Sequence, residues 1–139
     1  MKIKGFIVAV LALMLIKPVT VQAEELTVVD KGYLMLIAQA EAEGEGIEGK
    51  AAVMRVVLNR VASEKFPNTV GEVLFQKGQF STVNPGGRIY KVQPDAECVA
   101  AVTLIENGWN GVPEALYFNN SSNVSGKFFC KLGNHYFGK

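Results

Sequence analysis

Apolar positions in this chain recur with a helical period through the first two-thirds and with a strand period near the end. From Tyr33 to Val61, YLMLIAQAEAEGEGIEGKAAVMRVVLNRV, two apolar helix-forming segments flank a turn in which Glu41, Glu43, Glu45 and Glu48 sit among Gly44, Gly46 and Gly49. In the first segment Leu34, Ile37, Ala38 and Glu41 fall at i, i+3, i+4 and i+7, so Glu41 continues an apolar stripe rather than a solvated face. The spacing predicts a helix over about 31–43, with Asp30 as its N-cap and Glu24 to Val29 as an extended lead-in. Gly44 and Gly46 stop it by offering positive φ.

A second helix is expected over about 47–63. It is apolar on most sides, through Ala51, Ala52, Val53, Val56, Val57, Leu58 and Val61, which marks it as the central buried helix. Glu45 or Glu48 favours the positive end of its dipole, and Glu45 reads as its cap. Lys50, Arg55 and Arg60 are left to find the surface or carboxylate partners. Thr69-Val70-Gly71-Glu72 fits a capping box for a short helix to about Gln76. The alternation from Gly78 to Val83, a turn at Asn84-Pro85-Gly86-Gly87 and a return over Arg88 to Val92 read as a hairpin or a long irregular loop. Pro94 opens a third long helix, about 94–107, stopped by Gly108. Ala115 to Phe118 is a short strand, Asn119 to Gly126 a polar loop, and Lys127 to Phe137 an extended pair broken at Gly133-Asn134. The class is α+β: a mainly helical domain with small β-hairpin elements.

Part of the apolar content is not fold. Lys2 and Lys4, the uninterrupted apolar run Phe6 to Ile16, and the small residues of Val21-Gln22-Ala23 have the build of a secretory signal peptide over residues 1–23. Residues 24–139 are then expected to form one domain, large enough for a single core and too small for two. Loss of Lys2, Lys4 and Lys17 turns the formal net charge of +1 into −2. No basic stripe remains for nucleic acid, and no second apolar run approaches the ~18 residues of a membrane span. The expected location is therefore extracytoplasmic, as a monomer without stable membrane insertion. Cys98 and Cys130 are the only cysteines. Export permits a disulfide, closing a loop of about thirty residues for roughly 3–4 kcal/mol. Two free buried thiols are the open alternative.

Of the candidate chemistries, several fail on residue count. His135 is the only histidine, where a zinc amidase needs two or three or a Cys-rich set. Cys130 and His135, five apart on extended chain, would face opposite sides of a regular strand, against a Cys/His peptidase. No Gly-x-Ser-x-Gly elbow supports a serine nucleophile, and the acids at 41–48 lack the spacing of a calcium loop. Glu41 remains. At the end of a buried stripe its ionised form loses hydration, which would raise its pKa and suit it to donate a proton. The residues alone leave open a helix-end glutamate paired with Arg55 or Arg60.

Ala40-Glu41-Ala42-Glu43-Gly44-Glu45, Glu48-Gly49, Leu58-Asn59-Arg60-Val61, Phe66-Pro67, Gln79-Phe80-Ser81, Ala115-Leu116-Tyr117-Phe118-Asn119 and Gly133-Asn134-His135-Tyr136-Phe137 occur in that order. Over about residues 33–137 the chain resembles the SleB-type cell wall hydrolases, whose best-known members are spore cortex-lytic enzymes. Two positions depart from the family pattern, with Glu43 in place of the usual Arg and Gly46 in place of the usual Pro. The resemblance implies a lysozyme-like, lytic transglycosylase-like fold and a peptidoglycan substrate, with spore cortex during germination as one source of it, Glu41 as catalytic acid, and no cofactor or metal. It adds His135 to the substrate side, against a purely structural role for a lone histidine. Amide, hydroxyl and ring chemistry put Gln79, Phe80 and Ser81 there, with core packing the open alternative for Phe80. Strand alternation adds Tyr117 and Asn119 to the cleft and gives Phe118 to the core. No second carboxylate stands out after Glu72, which favours lytic transglycosylase chemistry over a hydrolytic muramidase or glucosaminidase. A non-catalytic peptidoglycan-binding module is the alternative outside the enzyme class.

Overall fold

The central helix, α2 (Gly46–Ala62), has almost no solvated face, because it serves two cores at once. A computed structural model describes residues 25–139; the signal peptide reading of residues 1–23 lies outside the described residues. On one side of α2, Val53, Met54 and Val57 pack with Leu34 and Ile37 of α1 (Val28–Ala42), Val73 and Leu74 of α3 (Val70–Phe75), and Ala101, Val102 and Ile105 of α4 (Ala96–Glu106). On the other, Ala52 and Val56, one helical turn apart, meet Val112, Ala115 and Phe137 under the sheet. That sheet has three antiparallel strands, β1 (Tyr117–Asn119), β2 (Phe128–Leu132) and β3 (His135–Gly138), in the order β1-β3-β2. Phe118 lies opposite Phe137 across β1 and β3. The α+β class, the four helices and the closing strand pair agree with the sequence reading. No helix among the described residues is long and apolar enough to cross a membrane.

Several boundaries move for identifiable reasons. α1 begins one turn before the expected position, so the lead-in ends at Thr27, which is the N-cap in place of Asp30. Thr27 Oγ1 accepts from the Asp30 amide (3.1 Å), and Asp30 Oδ2 accepts from the Thr27 amide (3.1 Å). Asp30 is thus the third residue of a capping box rather than the cap. At α3, Thr69 accepts from the Glu72 amide (3.2 Å), and its hydroxyl in turn donates to the Glu72 carboxylate (2.9 Å). α4 is capped by Asp95, whose side chain accepts from the Cys98 amide (3.0 Å), so Pro94 precedes the helix instead of opening it. Gly46 (φ +70°) takes the left-handed conformation needed between α1 and α2. The 79–92 stretch is the irregular loop and not the hairpin. Two single-turn 3₁₀ segments, Ser81–Val83 and Arg88–Tyr90, occupy it.

Both cysteines are free thiols. Cys98 is buried on α4, its Sγ 3.1 Å from Gln39 Oε1, and burial pushes it up to about 11. Cys130 lies in the sheet over the opposite side of α2, so the two belong to different cores. Lys50, expected at the surface or on a carboxylate, has no exposed side-chain area. Its Nζ lies 2.8 Å from Glu97 Oε2, 3.7 Å from Asp95 Oδ2 and 3.1 Å from the Glu43 carbonyl, joining α2 to the start of α4 and the end of α1.

Candidate active site

The last turn of α1 carries Glu41 out of the buried stripe of Leu34, Ile37 and Ala38 and into the wall of a cleft of about 330 Å³. Glu41 is half-buried there. Its Oε1 accepts a hydrogen bond from the Thr82 hydroxyl at 2.5 Å, 41 residues away in sequence. Gln79, Phe80 and Ser81 enter from the segment after α3, and Asn119 and His135 from the sheet. Six of the seven residues singled out in the sequence therefore share one cleft. Among the described residues Glu41 is the only carboxylate lining it.

Tyr117 is the exception, and Phe118 takes its place in the lining. The sequence reading set core and cleft on opposite strand faces. In the structure the inner sheet face serves both, since Phe118, His135 and Phe137 pack together there (ring centroids 5.1, 6.0 and 6.3 Å). The Tyr117 ring instead lies against Phe66 (6.1 Å) and beside Arg60 (5.8 Å). Asn119 reaches the cleft because the strand ends there. Its Oδ1 accepts from the Ser121 amide (2.8 Å) in a local turn that also brings Asn120 to the lining. Phe80 is nearly enclosed, 6.2 Å from Phe118, and so forms cleft floor and core together. His135 is buried with its Nδ1 lacking a hydrogen-bond partner.

Arg60 was missed as a cleft residue. It is buried, neither at the surface nor on a carboxylate. Its Nε donates to the Leu116 carbonyl (2.7 Å), and its guanidinium lies 4.9 Å from the ring centroids of both Phe66 and Phe80. Burial pushes it below its ordinary value, with Tyr117 opposing that shift. The signal was available: Arg60 follows Val53 and Val57 at i+7 and i+3, on a buried side of the helix. An arginine on such a stripe is held by carbonyls and ring faces.

The other glutamates of the turn are engaged elsewhere. Glu43 forms an ion pair with Arg88. Glu45 stands at the N-cap position of α2 without capping it through its side chain. Instead its Oε2 accepts from the Asn134 amide (2.9 Å) at the β2–β3 turn, where Gly133 leaves no room for a Cβ. That amide bond, against a smaller desolvation effect, holds the Glu45 carboxyl below the usual 4.5. The contribution is therefore present above about pH 4.5 and lost as pH falls through the lowered value. Glu45→Gln is expected to flatten the acid side of the stability profile, checked by thermal midpoints from pH 3 to 7. Among the described residues no three His, Cys, Asp or Glu side chains converge to hold a metal.

A helical domain with one acid at a helix-to-turn boundary and a small antiparallel sheet over the cleft has the lysozyme-like architecture of lytic transglycosylases. Residues 44–138 match the family model described as Cell Wall Hydrolase, and the chain belongs to that family, in its SleB-type branch. That match begins just after Glu41. Among curated proteins the chain is similar to spore cortex-lytic enzymes. The Bacillus cereus protein is 37% identical over 126 residues (81% of this chain, 48% of that one). The Bacillus subtilis protein is 37% identical over 113 residues (75% and 36%). The chain thus spans half the length or less of these relatives. Solved catalytic domains are matched nearly end to end. That of a germination-specific lytic transglycosylase, SleB, from Bacillus anthracis superposes with TM-score 0.70 at 34% identity, covering 84% of this chain and 98% of that one. The Bacillus cereus SleB catalytic domain gives 0.67 at 36% identity, covering 80% and 91%.

Proposed function

We propose that residues 24–139 are an exported peptidoglycan-cleaving domain, with residues 1–23 as its signal peptide. It cuts the bond between N-acetylmuramic acid and N-acetylglucosamine as a lytic transglycosylase, with Glu41 as acid and base. One observation carries this reading: among the described residues a single carboxylate, Glu41, lines the cleft. Hydrolysis by two carboxyl groups needs a partner roughly 5–5.5 Å away for retention or 6.5–9.5 Å for inversion. The nearest acids in sequence, Glu43 and Glu45, are turned to Arg88 and Asn134.

One carboxyl group suffices if the nucleophile is the sugar's own. Glu41 gives its proton to the glycosidic oxygen as the C1–O bond breaks. The muramoyl 6-hydroxyl oxygen then bonds to C1, and its proton returns to Glu41. Atoms balance without water, and the product ends in a 1,6-anhydro ring. Gln79, Ser81 and Asn119 supply amide and hydroxyl groups of the kind that orient sugar hydroxyls and acetamido groups, while Phe80, Phe118 and His135 supply ring surface. Tyr117, packed on Phe66, is not assigned to substrate.

The relatives' names support the cortex of spores as one wall on which such a domain acts. The test is digestion of purified peptidoglycan by residues 24–139. Soluble glycan fragments are expected. Sedimentation of the protein with the wall but no release would return the reading to a binding module.

A further inference from the structure

We infer that Thr82 is the positioning residue of the Glu41 carboxyl group, and that the Glu43–Arg88 ion pair keeps Thr82 in place. The inference rests on the reading of Glu41 as acid and base. Segment 80–90 is a closed clip rather than a loose loop. The Gly87 amide donates to the Asn84 carbonyl (2.7 Å), and the Tyr90 hydroxyl to the Val83 carbonyl (3.3 Å). Val83 and Ile89 are buried anchors, one in each 3₁₀ turn. Gly87 lies against the carbonyl oxygens of Thr82 and Asn84 with no space for a Cβ. The clip meets the end of α1 twice, through Thr82 on Glu41 and through Arg88 on Glu43, two residues apart.

The chemistry follows from which oxygen is occupied. A carboxyl group rotates over a broad, roughly two-fold torsion, so an unrestrained glutamic acid presents either oxygen. The Thr82 hydroxyl has one proton, and donating it to Oε1 makes Oε1 an acceptor. Oε2 is left to carry the acid proton to the glycosidic oxygen and to take one back from the 6-hydroxyl. Both steps then use one oxygen in one place, as proximity catalysis requires. The ion pair joining Glu43 to Arg88 is half-exposed, so its hold weakens with salt.

Thr82→Val keeps the shape and removes the donor. A lost hydrogen bond to an ionised group corresponds to a fall of about ten-fold or more in kcat, with KM and thermal midpoint unchanged. Thr82→Ser should return kcat to within about two-fold of the parent. Glu43→Arg sets like charges together and should lower kcat a few-fold, and adding Arg88→Glu should restore it. Wild-type kcat in Thr82→Val beside an inactive Glu41→Gln would sink the inference and leave the Glu41 reading standing. A rise in KM alone, or no rescue by serine, would also overturn it. Activity in Glu41→Gln itself would fail the underlying reading instead.

Discussion

Replacing Glu41 by Gln should lower glycan release by about 10²–10⁴-fold, the range a positioned general acid contributes. The amide is isosteric and still accepts from Thr82 through its oxygen, so the clip and the thermal midpoint should not move. What disappears is the proton that leaves with the glycosidic oxygen. Binding to insoluble peptidoglycan should persist, because the polar and aromatic lining is untouched. Initial rates of fragment release, together with a sedimentation assay, check both halves. Release at the parent rate would remove Glu41 from the chemistry.

The largest effect on stability is expected where no chemistry is assigned. Lys50 is fully buried beneath the half-exposed Asp95 and Glu97. Burial alone would pull its ammonium down, but the Glu97 hydrogen bond and the nearby Asp95 charge outweigh it and set it above 10.5. This contribution is complete below that value and is lost as pH rises through the raised one. The double change Asp95→Asn and Glu97→Gln keeps a competent cap on α4 but strands a buried cation. Fully enclosed pairs lose about 3–5 kcal/mol in this way. Water reaches these two acids and screens them, so a smaller loss is expected, read as a fall of several degrees in thermal midpoint. Lys50→Met removes the charge along with its partners' role and should cost much less. Calorimetry on the two variants checks the asymmetry; equal losses would mean that Lys50 matters for its packing and not its charge.

The pattern of residues carried the local half of this structure. The Leu34–Ile37–Ala38–Glu41 stripe aims the acid, and a 3.6-residue period is visible in any eight residues of chain. Gln79, Phe80, Ser81 and His135 stood out through their motifs and Asn119 through strand alternation, and all five line one cleft. Contacts between distant segments were not. Nothing near Thr82 in sequence points to Glu41, because the contact exists only once the 80–90 clip folds back on α1. Glu45 looks like a cap because it stands where caps stand, yet its carboxylate is claimed by an amide 89 residues on. Tyr117 and Phe118 were exchanged because alternation gives the two faces of a strand without saying which one meets the cleft. Arg60 could have been read, as a charge on the apolar stripe of a helix with no solvated side.

The claim beneath all of this is that one carboxyl group does the work of two. Mass analysis of the fragments released from purified peptidoglycan by residues 24–139 tests it most directly. The account predicts muramoyl ends lighter by one water than hydrolysed ends, carrying the 1,6-anhydro ring. Reducing muramoyl ends as the initial product would contradict it, by requiring an activated water and a second catalytic group.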